Sequence, residues 1–286
     1  MDADALLARI GATRPVRPTA AALAALQGAH VTAVPFENYD IHRGVPISLD
    51  LSDHQDKIVG RGRGGFCYEL NGLFAALLRE LGFGVTLVSA FSLGDDGARG
   101  PDFDHLRLLV DTDDGRMIAD VGNGARWKRP VPLRSGVHGN VQVHRDGDLW
   151  WTSEQRPDGR WERGWAWTTQ PRELAEFTER CRYQEHDPAS HFVTRRLAVL
   201  ATGSGRLSLL NGVLTEIDGD TRTDRPVDAG EERCCSPSGS GSCSRRRGRG
   251  CCPPPEGDRR FSVRDRWRRD HGQRVVPGVR LTAVCP

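Results

Sequence analysis

Residues 60–82 read GRGRGGFCYELNGLFAALLRELG. The first part, with glycines at 60, 62, 64 and 65, is a turn-forming run; the remainder is periodic. Leu70, Leu73, Phe74, Leu77, Leu78 and Leu81 recur at intervals of three and four, the single apolar stripe of a buried helix. Gly82 stands where a left-handed C-terminal cap belongs. The helix therefore starts at about residues 66–68, and Cys67 falls in its first turn. Unpaired backbone N–H groups and the helix dipole favour a thiolate there, and Arg63 adds a nearby positive charge. Taken alone, a cysteine in such a place is more often a packing residue than a nucleophile.

Upstream, Pro18 and Thr19 open a helix over Ala20–Ala29, and Pro35 makes Val34–Asp40 extended or turn-like. Downstream the period changes to two. Val85, Leu87 and Ser89 alternate as in a strand. His105–Val110 and Met117–Val121 read as two strands joined by the turn chemistry of Asp111-Thr112-Asp113-Asp114-Gly115. Leu149–Thr152 and Trp161–Thr168 form a second hairpin across residues 156–159. Pro171 opens a helix over Arg172–Arg182. Phe192–Leu200, Arg206–Leu210 and Val213–Ile217 read as further strands.

A thiol nucleophile needs a base within hydrogen-bond reach, and the base needs a third group to fix its tautomer. His105 begins one strand and Asp120 ends the next, 15 residues on. In a hairpin with an even-length loop, residues so spaced point to the same face. A two-residue Asp114-Gly115 turn would offset them by four positions along the ladder, and a longer loop would bring them closer. Singly, each is more often structural; together with Cys67 they supply nucleophile, base and orienter.

The segment Arg63-Gly64-Gly65-Phe66-Cys67-Tyr68-Glu69-Leu70-Asn71 resembles the active-site signature of the arylamine N-acetyltransferases. So do Val34-Pro35-Phe36-Glu37-Asn38, His105-Leu106-Arg107-Leu108-Leu109-Val110, Asp120-Val121-Gly122 and Asp187-Pro188-Ala189-Ser190-His191-Phe192. The resemblance runs in order from about Ile10 to Ile217. It implies an α+β fold in three parts with a papain- or transglutaminase-like Cys-His-Asp core: a helical domain over residues 1–84, a β-barrel over 85–186 and a partial α/β lid over 187–228. It implies transfer of acetyl from acetyl-coenzyme A, a co-substrate and not a bound cofactor, to an arylamine, arylhydrazine or N-hydroxyarylamine. Cys67 would be the nucleophile, held as a thiolate–imidazolium pair formed in advance, His105 the base and acid, and Asp120 the orienter. Phe36, Phe66, Gly122, Asn123 and Gly124 would border the substrates, and Glu37 and Arg63 would pair to brace the nucleophile loop. Asn123 stands where the family often has Phe. Asp104 precedes the histidine where a small or hydroxyl residue is commoner, and a carboxylate there would favour the imidazolium.

Composition narrows the alternatives. Of 286 residues 37% are hydrophobic and 27% charged, which suits a globular protein with a core. No stretch approaches the ~20 apolar residues that span a bilayer. Met1–Gly11 has neither a basic n-region nor an apolar h-region, so the expected compartment is the cytoplasm. From Glu231 to Pro286 there are 13 arginines, no lysine and 6 acids, against a mildly acidic remainder, and six of the eight cysteines lie there. That tail, 229–286, reads as disordered or as the product of a reading-frame shift near codon 234. Its Cys-Cys pairs lack zinc-ligand spacing, so no metal site is expected. A nucleic-acid function would have to reside in Arg245–Gly250, and none is expected. The competing activities are a macrolactam-closing amide synthase, which shares the triad, a thiol protease, and a non-catalytic binding protein with a damaged lid.

Overall fold

The computed structural model describes residues 1–227 apart from 125 and 157. The tail from 229, with its frame-shift reading, lies outside the described residues. Side-chain caps open the first two helices, Ala3–Ile10 and Ala20–Ala33. Asp2 accepts from the Ala5 N–H at 2.9 Å and Thr19 from the Ala22 N–H at 3.1 Å. The second helix runs four residues past the expected end. The helix expected behind the glycine run spans Cys67–Glu80, and Leu70, Leu73, Phe74, Leu77 and Leu78 are fully buried along one stripe. Gly82 adopts φ +87° just past its end, a conformation that favours glycine.

The helices pack on an eight-stranded sheet whose order is 131–132, 115–119, 105–112, 84–92, 161–167, 149–155, 141–146, 136–138, antiparallel throughout. The two outermost strands are consecutive in sequence and only three residues separate them. So short a link holds the edges close, and the sheet curls into a nearly closed barrel. Residues 105–110 are all buried because both faces of their strand are covered. Leu106, Leu108 and Val110 face the helical core. Leu109 joins Val88, Ile118, Val131, Val143 and Trp167 inside the barrel.

A second antiparallel sheet runs 36–37, 197–201, 205–210, 213–218, 221–226. Its first strand, Phe36–Glu37, comes from the N-terminal part. Asn38 fastens the two: its Nδ2 donates to the carbonyls of Phe192 and Arg195 at 2.9 and 2.7 Å, and its Oδ1 accepts from the Leu197 N–H at 2.8 Å.

Two elements differ from expectation. Residues 192–200 do not form one strand. Ser190 caps a short helix, His191–Thr194, accepting from the Phe192 N–H, and the strand starts only at Leu197. The turn chemistry of Asp187-Pro188-Ala189-Ser190 outweighs the β-branched and apolar residues behind it. The helix expected over 172–182 starts later. The Arg172 N–H bonds to the Leu87 carbonyl at 2.9 Å, a 3-10 turn covers Leu174–Phe177, and the helix is Thr178–His186. Among the described residues no helix is long and apolar enough to cross a membrane.

Candidate active site

The hairpin register decides the geometry. Leu108 pairs with Ala119 and Thr112 with Gly115, so the turn is Asp113-Asp114, one residue earlier than the Asp114-Gly115 alternative. Continued past Leu108–Ala119, that register sets Asp120 opposite Arg107 and two places from the position facing His105. The three share the face turned to the barrel. The diagonal lets His105 Nε2 meet Asp120 Oδ2 at 2.8 Å. Nδ1 is then the ring nitrogen left for the thiol.

The helix Cys67–Glu80 is fixed to this hairpin by Asn71, one turn beyond Cys67 on the same face. Its Nδ2 donates to the Leu106 carbonyl at 2.7 Å and to Asp120 Oδ1 at 3.0 Å, and its Oδ1 accepts from the Val121 N–H at 2.9 Å. Gly122 is required by proximity. A Cβ there would stand 2.8 Å from Cys67 Cα and 2.8 Å from Asn71 Nδ2. Its N–H donates to Asp120 Oδ1 at 3.0 Å. Burial raises the Asp120 pKa, but His105, Arg107 and Asn71 outweigh it and hold the carboxyl down at about 2.

Cys67 is buried, and burial first, with the Asp120 carboxylate adding to it, pushes its thiol well above the usual range. A hydrogen bond from the Leu106 backbone opposes this by favouring the thiolate. Burial thus opposes the thiolate that the helix N-terminus favours. Asp104 is tied up elsewhere: Arg180 donates to its Oδ1 at 2.7 Å, and Gln184 Nε2 at 2.8 Å. Tyr68 links the same cluster to the nucleophile helix, donating to Gln184 Oε1 at 3.0 Å.

Beneath the loop that precedes Cys67 lies a buried charge network. Arg63 bridges Glu37 at 2.6 Å and Asp40 at 2.5 Å; Lys57 bridges Asp40 at 2.7 Å and Glu69 at 2.8 Å. Glu69 Oε2 accepts the Phe66 N–H at 2.7 Å, so the network ends on the N-terminus of the helix Cys67–Glu80. The Glu37–Arg63 pair was expected; Asp40, Lys57 and Glu69 were not.

A cleft of about 380 Å³ opens beside Cys67 and His105. Cys67, His105, Phe36, Gly122, Asn123 and Gly124 line it. Phe66 stands behind the wall, fully buried, edge-on to Phe192 at 4.6 Å and 5.5 Å from the Phe36 ring. Asp120 sits behind His105. Trp165, which no sequence pattern singled out, lines the cleft and lies flat on the His105 ring, 4.9 Å between centroids and 13° from parallel. Its indole N–H donates to Asn123 Oδ1 at 3.2 Å.

The N-acetyltransferase family model matches residues 19–234. An arylamine N-acetyltransferase of Mycolicibacterium smegmatis is 35% identical over 221 residues, covering 73% of this chain and 80% of its own length. The chain belongs to the arylamine N-acetyltransferase family. A pineal gland isozyme of the family from Gallus gallus is 34% identical over 212 residues, covering 66% of this chain and 73% of its own. Among solved arylamine N-acetyltransferases, the M. smegmatis enzyme superposes with a TM-score of 0.75 at 32% identity, over 82% of this chain and 89% of that one. The Mycobacterium marinum enzyme in complex with CoA gives 0.73 at 26% identity, over 80% and 88%. The family match ends within a few residues of the Cys-rich tail.

Proposed function

We propose that this protein moves an acetyl group from acetyl-coenzyme A to the nitrogen of an arylamine or arylhydrazine, or to an N-hydroxyarylamine, by a ping-pong route through a thioester on Cys67. The observation that carries the reading is the His105–Asp120 contact of 2.8 Å, buried behind a cleft on which Cys67 opens from a helix N-terminus. In this mechanism His105 Nδ1 takes the proton of the Cys67 thiol as sulfur attacks the thioester carbonyl. The imidazolium then returns that proton to the departing coenzyme A thiolate. An aromatic amine is neutral near pH 7 and attacks the enzyme thioester directly. His105 accepts the amine proton and hands it to the Cys67 sulfur as the amide leaves. Asp120 fixes the tautomer throughout and stabilises each imidazolium.

Exchange of one thioester for another is nearly isoenergetic, so the covalent step needs no external energy. Phe36, Gly122, Asn123 and Gly124 are the residues placed to border the two substrates, while Phe66 acts from behind, through Phe36 and Phe192. A cytoplasmic location, where acetyl-coenzyme A is available, goes with this reading.

The test is intact-mass measurement after mixing with acetyl-coenzyme A alone, with Cys67→Ser as control. One acetyl group on the wild type only is expected, followed by its loss when an arylamine is added. A folded wild-type protein that gains no acetyl group overturns the assignment.

A further inference from the structure

Arg107 is a charge in the wrong surroundings for a barrel interior. Its side chain is fully buried, and the next residue on the same strand face, Leu109, belongs to the barrel core with Val88, Ile118 and Val143. The guanidinium carbon lies over the rings of Trp127 and Trp167, 4.5 and 4.8 Å from their centroids. Nε donates to Asp120 Oδ2 at 3.2 Å, the same oxygen that His105 meets. Nη1 and Nη2 have no hydrogen-bond partner among the described residues. A guanidinium so placed is costly: desolvation is unfavourable and only one of five donors is used. A methionine or leucine would fill the space and face the indoles without that cost. Packing alone gives no reason for an arginine here, and the register explains its position, since Arg107 lies directly across the hairpin from Asp120.

We propose that Arg107 is a positioning residue of the catalytic apparatus, a permanent counter-charge that fixes the Asp120 carboxylate and balances it beside Cys67. This rests on the Cys-His-Asp reading above. With Arg107 present the Asp120 charge is balanced, and moving a proton between Cys67 and His105 leaves the total charge of the site unchanged. Without it an unbalanced buried carboxylate stands near Cys67 and holds the thiol proton more tightly. The other charged groups facing His105 across the cleft are Asp104, Arg126, Glu154, Glu162, Arg163 and His191. Among the cations, Arg126 is paired with Glu154 and Arg163 with Asp95, so neither stands in for Arg107, and the carboxylates of Asp104 and Glu162 are balanced by Arg180 and Arg156.

The experiment is the rate of Cys67 alkylation by iodoacetamide against pH, resolved by peptide mass in the full chain, for wild type, Arg107→Met and Arg107→Lys. The profile of Arg107→Met should move up by about one pH unit, the effect of removing an opposite charge at this range. Arg107→Lys should stay within a fraction of that. Arg107→Gln, equally neutral, replaces the methionine variant if the latter does not fold. Coincident profiles for wild type and a folded neutral variant overturn the proposal, even if stability or acetylation falls, because a packing role moves rates and melting temperature without moving the titration. Alkylation requires no acyl donor, so failure of the acetyl-transfer reading shows separately, in acetyl-coenzyme A mixing.

Discussion

Lys57→Met tests the charge network under the nucleophile. Lys57 lies between Asp40 and Glu69, with side-chain exposures of 4% or 6% for all three. Methionine keeps much of the stem's volume and removes the cation. It leaves two buried carboxylates, with only Arg63 near to serve them. Breaking a buried pair from one side costs about 3–5 kcal/mol. At this size that lowers Tm by about 6–20 °C. The pH dependence has a definite sign. Burial raises the Asp40 pKa, but Lys57 and Arg63 outweigh it and hold the carboxyl below its usual range. Its contribution in the wild type is thus complete above the ordinary carboxylate range and is lost as pH falls through the depressed value. Burial pushes the Glu69 carboxyl up even with Lys57 beside it, so without Lys57 it takes a proton more readily still. Between pH 7.5 and pH 5 the wild type keeps the Asp40 contribution, while the variant is relieved as Glu69 takes up a proton. The Tm gap should be full at pH 7.5 and clearly smaller at pH 5. Thermal melts by circular dichroism at the two values decide it. A gap below about 1 kcal/mol at pH 7.5, or one that does not change with pH, refutes the reasoning.

Three further outcomes concern the site. Asp120→Asn should fold and lose acetyl transfer by about 10³–10⁴-fold in steady-state assays, since the group that fixes the His105 tautomer is gone. Gly122→Ala drives a methyl group against the Cys67 backbone, and should cost about 1–3 kcal/mol in a urea titration and sharply reduce single-turnover acetylation. Trp165→Ala removes the ring stacked on His105, and should slow acetylation about two- to tenfold, with Trp165→Phe recovering most of the loss.

The helix Cys67–Glu80 is legible in the sequence because its apolar stripe and closing glycine are local properties of residues 67–82. That His105 and Asp120 share a face is legible from parity, but their offset is not. It depends on whether the turn sits at residues 113–114 or 114–115, and both pairs are good turn formers. Arg107 carries a signal of its own: a charged residue in the apolar run His105–Val110, two places from the histidine and in parity with Asp120. Asp40, Lys57 and Glu69 look like ordinary surface charges, and only the approach of segments 12 to 29 residues apart makes them a buried cluster. Glu69 bears a faint local mark as the third residue of a helix, where a carboxylate commonly returns to the N-cap amide. Trp165 has none, because its role arises where the second hairpin closes the barrel over the histidine.

The joint between Phe36–Glu37 and the strand Leu197–Ala201 bears on how the molecule is made. The chain leaves the ribosome from its N-terminus, and the helical part carrying Cys67 is synthesised long before residue 197. Until that strand arrives, Phe36–Glu37 has no antiparallel neighbour on the side that strand takes, and the carboxamide of Asn38 lacks the three backbone partners it holds in the finished protein. The wall that Phe36 gives the cleft is thus completed by a contact spanning about 160 residues, a late and slow kind of event in folding. A nascent chain halted near residue 190 would carry nucleophile, base and orienter and still lack a finished substrate cleft. Vectorial synthesis thus makes the wall beside Cys67 one of the last parts of the cleft to be completed.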